Sequence, residues 1–306
     1  MILIVGCGFL GSYLFRELTA ATTEKVIAVA KNVKTLPRAE SSANLSEYNS
    51  SALRIESCDV TDQKDVASLA EKCRGEKTTV FYFAACHNID YVYSHPLEAR
   101  TVNIDALKSF LETIPGIDRF FFSSTDCVYG ENTSEFPLFD ETAPLRPVNE
   151  YGRQKADAER IVSEHGFISL RFGYMLGKGL CGKPHFYDNI IRKMTSGEPL
   201  EMIDGMVRSL LSYKTASELL VPLLKVPKSE LPGVINVCSD TSMTKYETAL
   251  SIADSIGIDS PVIKRISEDE GRKFFLDNRA SSSVMSNGTL KQLLGVDEIK
   301  WQPQAC

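Results

Sequence analysis

The sequence predicts an α/β protein, a doubly wound parallel sheet that carries a smaller C-terminal lobe. Three observations predict it. Short buried-strand runs alternate with helical apolar spacing through the first half of the chain, the order that builds a parallel sheet. The first run, Ile2 to Val5, enters Gly6-Cys7-Gly8-Phe9-Leu10-Gly11, and helical spacing follows at Leu10, Leu14, Phe15 and Leu18. Beyond Gly173 the alternation becomes irregular, which marks a second and smaller unit. The expected division is a dinucleotide-binding domain over residues 1–172, with elements near 208–240 returning to it, and a substrate lobe over 173–306.

Bulk properties narrow the function. A chain of 306 residues with 43% hydrophobic and 24% charged residues can bury a large core. Its net charge of −6 argues against a general nucleic-acid surface. Eight cysteines form no Cys-x-x-Cys pair and four histidines are scattered, so no metal site is expected. Such cysteines read as buried thiols of a reducing, cytoplasmic compartment. The apolar start has no basic segment before it and no run approaches 18 apolar residues, so neither a signal peptide nor a membrane helix is expected.

In order, strand, glycine turn and helix form the setting in which Gly-x-Gly-x-x-Gly binds a dinucleotide. Gly6 permits the tight turn, Gly8 lets the backbone approach a pyrophosphate, and Gly11 lets the helix pack on the strand. Phe9 and Leu10 stand where the helix offers its free N–H groups. Val26 to Ala30 closes the first βαβ unit. An NAD site usually has an acid at that strand end, whereas Ala30-Lys31-Asn32 offers Lys31 for a 2′-phosphate, with Lys34 and Arg38 to assist. NADP(H) is therefore favoured over NAD(H). Residues 39 to 51 read as a polar loop or short surface helix. Leu53 to Asp59 reads as the third strand, and Thr61 or Asp62 caps a helix through Cys73. Thr79 to Ala85 is the next strand, Ser94 to Leu111 the next helix, and Arg119 to Ser124 a strand whose Phe120-Phe121-Phe122 run belongs to the core.

Thr125 follows at that strand's carboxyl end, where open α/β sheets bind ligands. A proline-rich loop leads from Glu131 to the helix bearing Tyr151-Gly152-Arg153-Gln154-Lys155. A phenol and an ammonium four residues apart share a helix face. A cation beside a phenol favours the phenolate, which makes the pair a usable acid/base. Further strands are expected at Ile168 to Phe172 and Ile235 to Cys238, and helices at Phe186 to Thr195 and Tyr246 to Ile256.

Taken in this order, Gly6/Gly8/Gly11, Asp59-Val60, Ala84-Ala85, Asn103, Ser124-Thr125-Asp126-Cys127-Val128-Tyr129-Gly130, Tyr151 with Lys155, and Leu170-Arg171 resemble the extended short-chain dehydrogenase/reductases. These are the NAD(P)-dependent, Rossmann-type sugar-nucleotide epimerases, dehydratases and reductases. The resemblance implies Thr125 as the active-site hydroxyl and Tyr151 as acid/base. Lys155 would hold the nicotinamide ribose and depress the Tyr151 pKa. It places Asp59 and Val60 about the adenine, Ala84 and Ala85 along the cofactor groove, and Asn103 as its support. Arg208 would face the substrate diphosphate, and relatives dimerise through a four-helix contact, which implies a possible homodimer. Departures are visible too. Val5 replaces the first glycine of the usual nucleotide loop, Phe172 and Tyr174 replace Pro and Asn after Leu170-Arg171, and Ser212-Tyr213-Lys214 lacks the usual acid.

Three reactions share the scaffold. Dehydratases carry a Glu where this chain has Cys127, which disfavours dehydration. Reductases of 4-keto sugars resemble Ser124-Thr125-Asp126-Cys127-Val128-Tyr129 most closely. The expected activity is therefore reduction of a keto group on a nucleotide sugar or related carbonyl compound, with Tyr151 as proton donor and Thr125 bonded to the developing alkoxide. His87 and Asp126 are further candidates to face substrate, each balanced by a structural role. An NAD-dependent epimerase, and a non-catalytic regulatory or sensor protein that binds NADP, are the alternatives.

Overall fold

The protein is described by a computed structural model covering residues 1–32 and 53–303. Lys34, Arg38 and the polar stretch 39 to 51 lie outside the described residues. In chain order the first half comprises β1 (Ile2–Val5), α1 (Phe9–Ala21), β2 (Val26–Ala30), β3 (Leu53–Ser57), α2 (Gln63–Cys73), β4 (Thr78–Tyr82), α3 (Ile89–Ser94), α4 (Pro96–Arg100), α5 (Ala106–Thr113), β5 (Ile117–Thr125), α6 (Glu150–Glu164) and β6 (Ile168–Phe172). Then follow β7 (Tyr174–Leu176), α7 (Phe186–Ser196), β8 (Leu200–Ile203), β9 (Val207–Ser212), α8 (Tyr213–Leu223), β10 (Val234–Val237), β11 (Ser242–Met243), α9 (Lys245–Ser255), β12 (Ile263–Ile266), α10 (Glu268–Arg272), β13 (Ser282–Ser283) and α11 (Gly288–Leu294).

Seven strands form one parallel sheet in the order β10-β6-β5-β4-β1-β2-β3. Both faces are covered at the centre of the sheet, so both side-chain sets of β1 and β2 are apolar. Ile2, Ile4, Val26, Ala28, Phe81 and Phe121 face α1 and α8 through Leu14, Leu18, Leu220 and Leu223. Leu3, Val5, Ile27, Val80, Phe120 and Phe122 face α2, α5 and α6 through Leu69, Phe110, Ala158 and Val162. The Phe120-Phe121-Phe122 run thus serves both cores. Chain order reverses between β1 and β4, and such a switch point opens a crevice at the strands' carboxyl ends.

Smaller elements cover that end of the sheet. β9 pairs with β7, β11 and β13, and β8 pairs with β12. α7 and α9 pack on β8 around Tyr187, Ile190, Leu200 and Ile252. Between these pieces the chain returns to the large sheet, as α8 lies on α1 and β10 extends the sheet beside β6.

Local boundaries differ from the sequence expectation in several places. The third and fourth strands end earlier, at Ser57 and Tyr82, because the chain leaves the sheet to shape the crevice. The single helix expected from Ser94 to Leu111 is instead α4 and α5 joined by a π-helical turn at Thr101–Asp105, preceded by α3. A π-turn inserts one residue into the helical register, and here it lies at Asn103. Asp62, not Thr61, caps α2 by accepting from the Lys64 N–H at 2.8 Å.

Candidate active site

The glycine turn lies at the switch point, and each glycine has a separate physical reason. Gly6 has φ +97°, and a Cβ there would lie 2.5 Å from the Ala84 nitrogen. A Cβ on Gly11 would lie 2.5 Å from the Gly6 carbonyl oxygen, so α1 can approach β1 this closely only with glycine. Gly8 faces open space, with nothing within 4 Å of a Cβ. It precedes α1, whose start has no side-chain cap and no acid in its first turn. Uncapped N–H groups beside an open glycine fit the phosphates of a dinucleotide.

Across the crevice, Ala84 donates its N–H to the Val5 carbonyl at 2.9 Å. The backbone just beyond Ala85 is clamped by Asn103, which accepts from the Cys86 N–H at 2.8 Å and donates to the Cys86 carbonyl at 3.1 Å. Asn103 also donates to Gln154 of α6 at 3.0 Å. The π-turn therefore presents an amide that ties the β4 end to the helix carrying Tyr151 and Lys155.

That helix is docked on the end of β5. Asn149 caps it by accepting from the Gly152 N–H at 2.8 Å. Gly152 lies so close to the turn after β5 that a Cβ would stand 2.5 Å from the Cys127 carbonyl oxygen. Tyr151 is buried among Cys86, Ile89, Val92, Ala99 and Cys127. Its hydroxyl makes no hydrogen bond among the described residues, and burial, reinforced by Cys127 and Asp126, raises its pKa. The depression expected from Lys155 is thus absent in this state. Lys155 itself is buried, donates to the Ser123 carbonyl and stands 4.3 Å over the Phe122 ring. Burial lowers its pKa to about 7, and Glu159 one turn further along α6 opposes that fall. The Glu159 carboxylate accepts from the Ser124 hydroxyl at 2.5 Å and pairs with Arg171 of β6 at 2.6 Å, entirely in the interior.

Thr125 ends β5 with its hydroxyl already engaged. It donates to Asp126 at 2.9 Å and accepts from the Cys127 N–H at 3.2 Å. Asp126 is buried, which raises its pKa, while Arg208 of β9, 3.6 Å away, and Thr125 hold it down. Cys127 is pushed up to about 12 by burial, next to Asp126, so a thiolate base is unavailable.

Asp126 and Arg208 open onto a cleft of about 760 Å³, its mouth included, lined also by Tyr174, Lys245, Phe275 and Arg279. That size suits a small molecule. Arg279 pairs with Asp90 at 2.9 Å and lies over Phe275. Lys245 stands over Phe275 at 5.1 Å, and burial with the nearby Arg208 and Arg279 lowers its pKa to about 8. The segment bearing Arg279 is tied to the start of α6, where Asp277 accepts from the Glu150 N–H at 2.9 Å.

The remaining candidates fall in different places. His87 is exposed on the segment after β4, where partial desolvation and then the Lys155 charge lower its pKa. Lys31 is not free, since it pairs with Asp59 at 2.7 Å. Both sit at the far end of the crevice, after β2 and β3, while Val60 packs beneath against the core. Elsewhere Arg272 pairs with Glu268 and Arg192 with Glu198. Lys245 and Glu159 were missed from sequence. Glu159 had a readable signal, four residues beyond Lys155 on the same helix face, whereas only tertiary contact brings Lys245 to the cleft. Among the described residues no helix is long and apolar enough to cross a membrane.

Methionine adenosyltransferase 2 subunit beta of Xenopus laevis is 24% identical over 228 residues, spanning 72% of this chain and 67% of that protein. dTDP-glucose 4,6-dehydratase of Salmonella typhimurium is 28% identical over 176 residues, 51% of this chain and 47% of the enzyme. The match thus spans about half to two thirds of these relatives. The structure of Bacillus cereus UDP-glucuronic acid 4-epimerase, solved with UDP-glucuronic acid and NAD, shares the fold at a TM-score of 0.78 and 18% identity, covering 97% of this chain and 93% of the other. The model of the NAD dependent epimerase/dehydratase family matches residues 2–238, from β1 through the end of β10, and the chain belongs to that family.

Proposed function

We propose that the protein is an NADPH-consuming reductase of a keto group on a nucleotide sugar or a related small carbonyl compound. The observation that carries this reading is Tyr151, a phenol without a hydrogen-bond partner among the described residues, one helical turn from Lys155 and docked against the turn that follows Thr125. The bound nicotinamide would supply the hydride. Residues 1–172 would hold that cofactor through Gly6, Gly8, Phe9, Leu10 and Gly11 at its phosphates and Ala84 and Ala85 along its length. The lobe after residue 172 would place substrate, with Arg208 toward its phosphates.

Tyr151 delivers a proton to the alkoxide as it forms, and Thr125 bonds the same oxygen. A buried phenol with a raised pKa is a poor acid in the free protein, so its task requires a cation close by. Lys155 provides one when its ammonium leaves the Ser123 carbonyl for the ribose hydroxyls and the phenol. Asp126 and Cys127 in place of an acid pair oppose dehydration, because Cys127 stays protonated.

An epimerase that keeps NAD bound is the second reading, and the Lys31–Asp59 pair favours it by occupying the cation assigned to a 2′-phosphate. Purified protein incubated with NADPH and 4-keto-sugar nucleotides is expected to oxidise the cofactor, and Tyr151→Phe to lower that rate about 100-fold or more. Turnover that survives Tyr151→Phe would refute the assignment. Tightly copurifying NAD, with interconversion of sugar epimers and no net NADPH oxidation, would establish the epimerase instead.

A further inference from the structure

Hydrogen-bond polarity at Thr125 conflicts with the role just given to it. A threonine hydroxyl has one proton and two lone pairs. Its proton goes to Asp126 at 2.9 Å, and one lone pair accepts from Cys127 at 3.2 Å. What remains is a single acceptor site. An acceptor can bind a substrate hydroxyl, but it cannot stabilise a carbonyl oxygen that is becoming an alkoxide. For reduction, the proton now given to Asp126 has to turn toward the substrate.

Asp126 is placed to release it. Its carboxylate is buried, with Arg208 as the nearest cation at a separation of 3.6 Å, longer than a hydrogen bond. The Arg208 guanidinium is already fixed by donating to the Val207 carbonyl at 2.7 Å and the Ala280 carbonyl at 2.5 Å. It can therefore serve an incoming anion without moving, and the anion and Asp126 would then share one cation. Two anions sharing one site cannot both stay ionised at low cost, and the buried carboxylate is the one that can take a proton.

We propose that Asp126 is a positioning residue that sets the direction of the Thr125 hydroxyl, and that an anionic substrate group arriving on Arg208 makes Asp126 take up a proton and turn Thr125 into a donor. The proton comes from solvent and stays on Asp126. As a carboxylic acid, Asp126 donates to Thr125 Oγ1, and the Thr125 O–H then points at the substrate carbonyl. No bond to substrate is made or broken by this pair. Binding of the charged end of the substrate thereby completes the site at its reacting end.

Other charged and titratable groups face Asp126 from each element around it. Cys127 lies on its own turn and Tyr151 on α6, Cys238 follows β10, and Ser283 of β13 donates to the Asp126 carbonyl at 3.3 Å. Lys245 and Arg279 complete the cleft wall. Neither cysteine nor Tyr151 loses a proton near neutrality, because burial raises all three. Lys245 can exchange a proton there, so the test must subtract its contribution.

The inference rests on the reductase reading for its purpose, but its test needs no turnover. Binding of inorganic pyrophosphate is measured by titration calorimetry near neutral pH in buffers of different ionisation enthalpy, which counts protons exchanged. Wild-type protein should take up about half a proton or more per ligand beyond the Asp126→Asn variant. Exchange by pyrophosphate and by Lys245 is common to both and cancels in the difference. Equal uptake by the two proteins would overturn the proposal, and so would failure of pyrophosphate to bind. Should Asp126→Asn not fold, Asp126→Ser, which also lacks the carboxyl and leaves Arg208 in place, serves as the reference, and equal uptake by it and by wild type would overturn the proposal. In the carbonyl assay Asp126→Asn should change the alkaline limb of the pH profile, and a profile identical to that of wild type would overturn the proposal.

Discussion

Replacing Lys155 by methionine should make the protein more stable while removing its activity. Lys155 is 1% exposed, and apart from its bond to the Ser123 carbonyl and its contact with the Phe122 ring it is surrounded by core. Burial lowers its pKa from 10.5 to about 7. Between those values the folded chain binds fewer protons at this site than the unfolded chain. Stability must therefore rise with pH across that window, and the cost of the buried amine is largest at and below pH 7. Converting the displacement at ~1.4 kcal/mol per pH unit gives a ceiling of about 5 kcal/mol. The ring contact, worth about 1–2 kcal/mol for a desolvated pair, offsets part of it. Methionine fills a similar length without a charge, so Lys155→Met should gain ~2–4 kcal/mol at pH 6. That gain should shrink by about 1.4 kcal/mol for each pH unit above 7 and largely vanish by pH 9. Urea unfolding of both proteins, followed by circular dichroism at pH 6, 7.5 and 9, measures it. A variant less stable than wild type at pH 6, or a difference independent of pH, would refute the reasoning.

Two other perturbations probe the site's supports. Arg171→Met leaves the Glu159 carboxyl without its ion-pair partner in the interior and should cost about 3–5 kcal/mol in the same unfolding assay, most of it recovered when Glu159→Leu is added; a single-variant loss below ~1 kcal/mol would contradict that account. Asp59→Asn releases Lys31 from its exposed pair and removes a charge that repels a 2′-phosphate, so the ratio of NADPH to NADH affinity should rise about two- to fivefold. Calorimetric binding of both cofactors reads that ratio, and a ratio that falls would remove Lys31 from the cofactor site.

Local physics made most of the scaffold legible. Fully apolar runs of four or five residues can be satisfied only between two covered faces, and Ile2–Val5 and Val26–Ala30 are such strands. Gly6, Gly8 and Gly11 could be assigned separate tasks because a turn, a phosphate and a close helix each exclude a side chain for a different reason. What the sequence hid is non-local. Nothing near Asn103 announces a π-turn, because the reward for that distortion is a pair of hydrogen bonds to Cys86, seventeen residues away. Lys31 and Asp59 each looked like a ligand for the cofactor, yet they neutralise one another across adjacent strand ends. Lys155 was expected to lower the Tyr151 pKa, but in this state the ammonium satisfies itself on a backbone carbonyl.

These observations change what the Tyr-x-x-x-Lys spacing means in this chain. Tyr151, Lys155 and Glu159 lie four residues apart on one face of α6, and each meets the end of β5. Tyr151 packs on Cys127, Lys155 bonds the Ser123 carbonyl, and Glu159 bonds the Ser124 hydroxyl. Gly152 adds a backbone contact that no side chain could permit. Apolar packing alone tolerates sliding by a fraction of a helical turn, whereas hydrogen bonds and a buried ion pair do not. The polar face of α6 therefore holds its register against β5, and that register sets the separation of Tyr151 from Thr125. Catalysis by two groups on different elements needs geometry held to about half an ångström. Here the residue that could place the cofactor and the residue that anchors the helix are successive members of one stripe, so a substitution at Glu159 should reach the chemistry without touching any ligand.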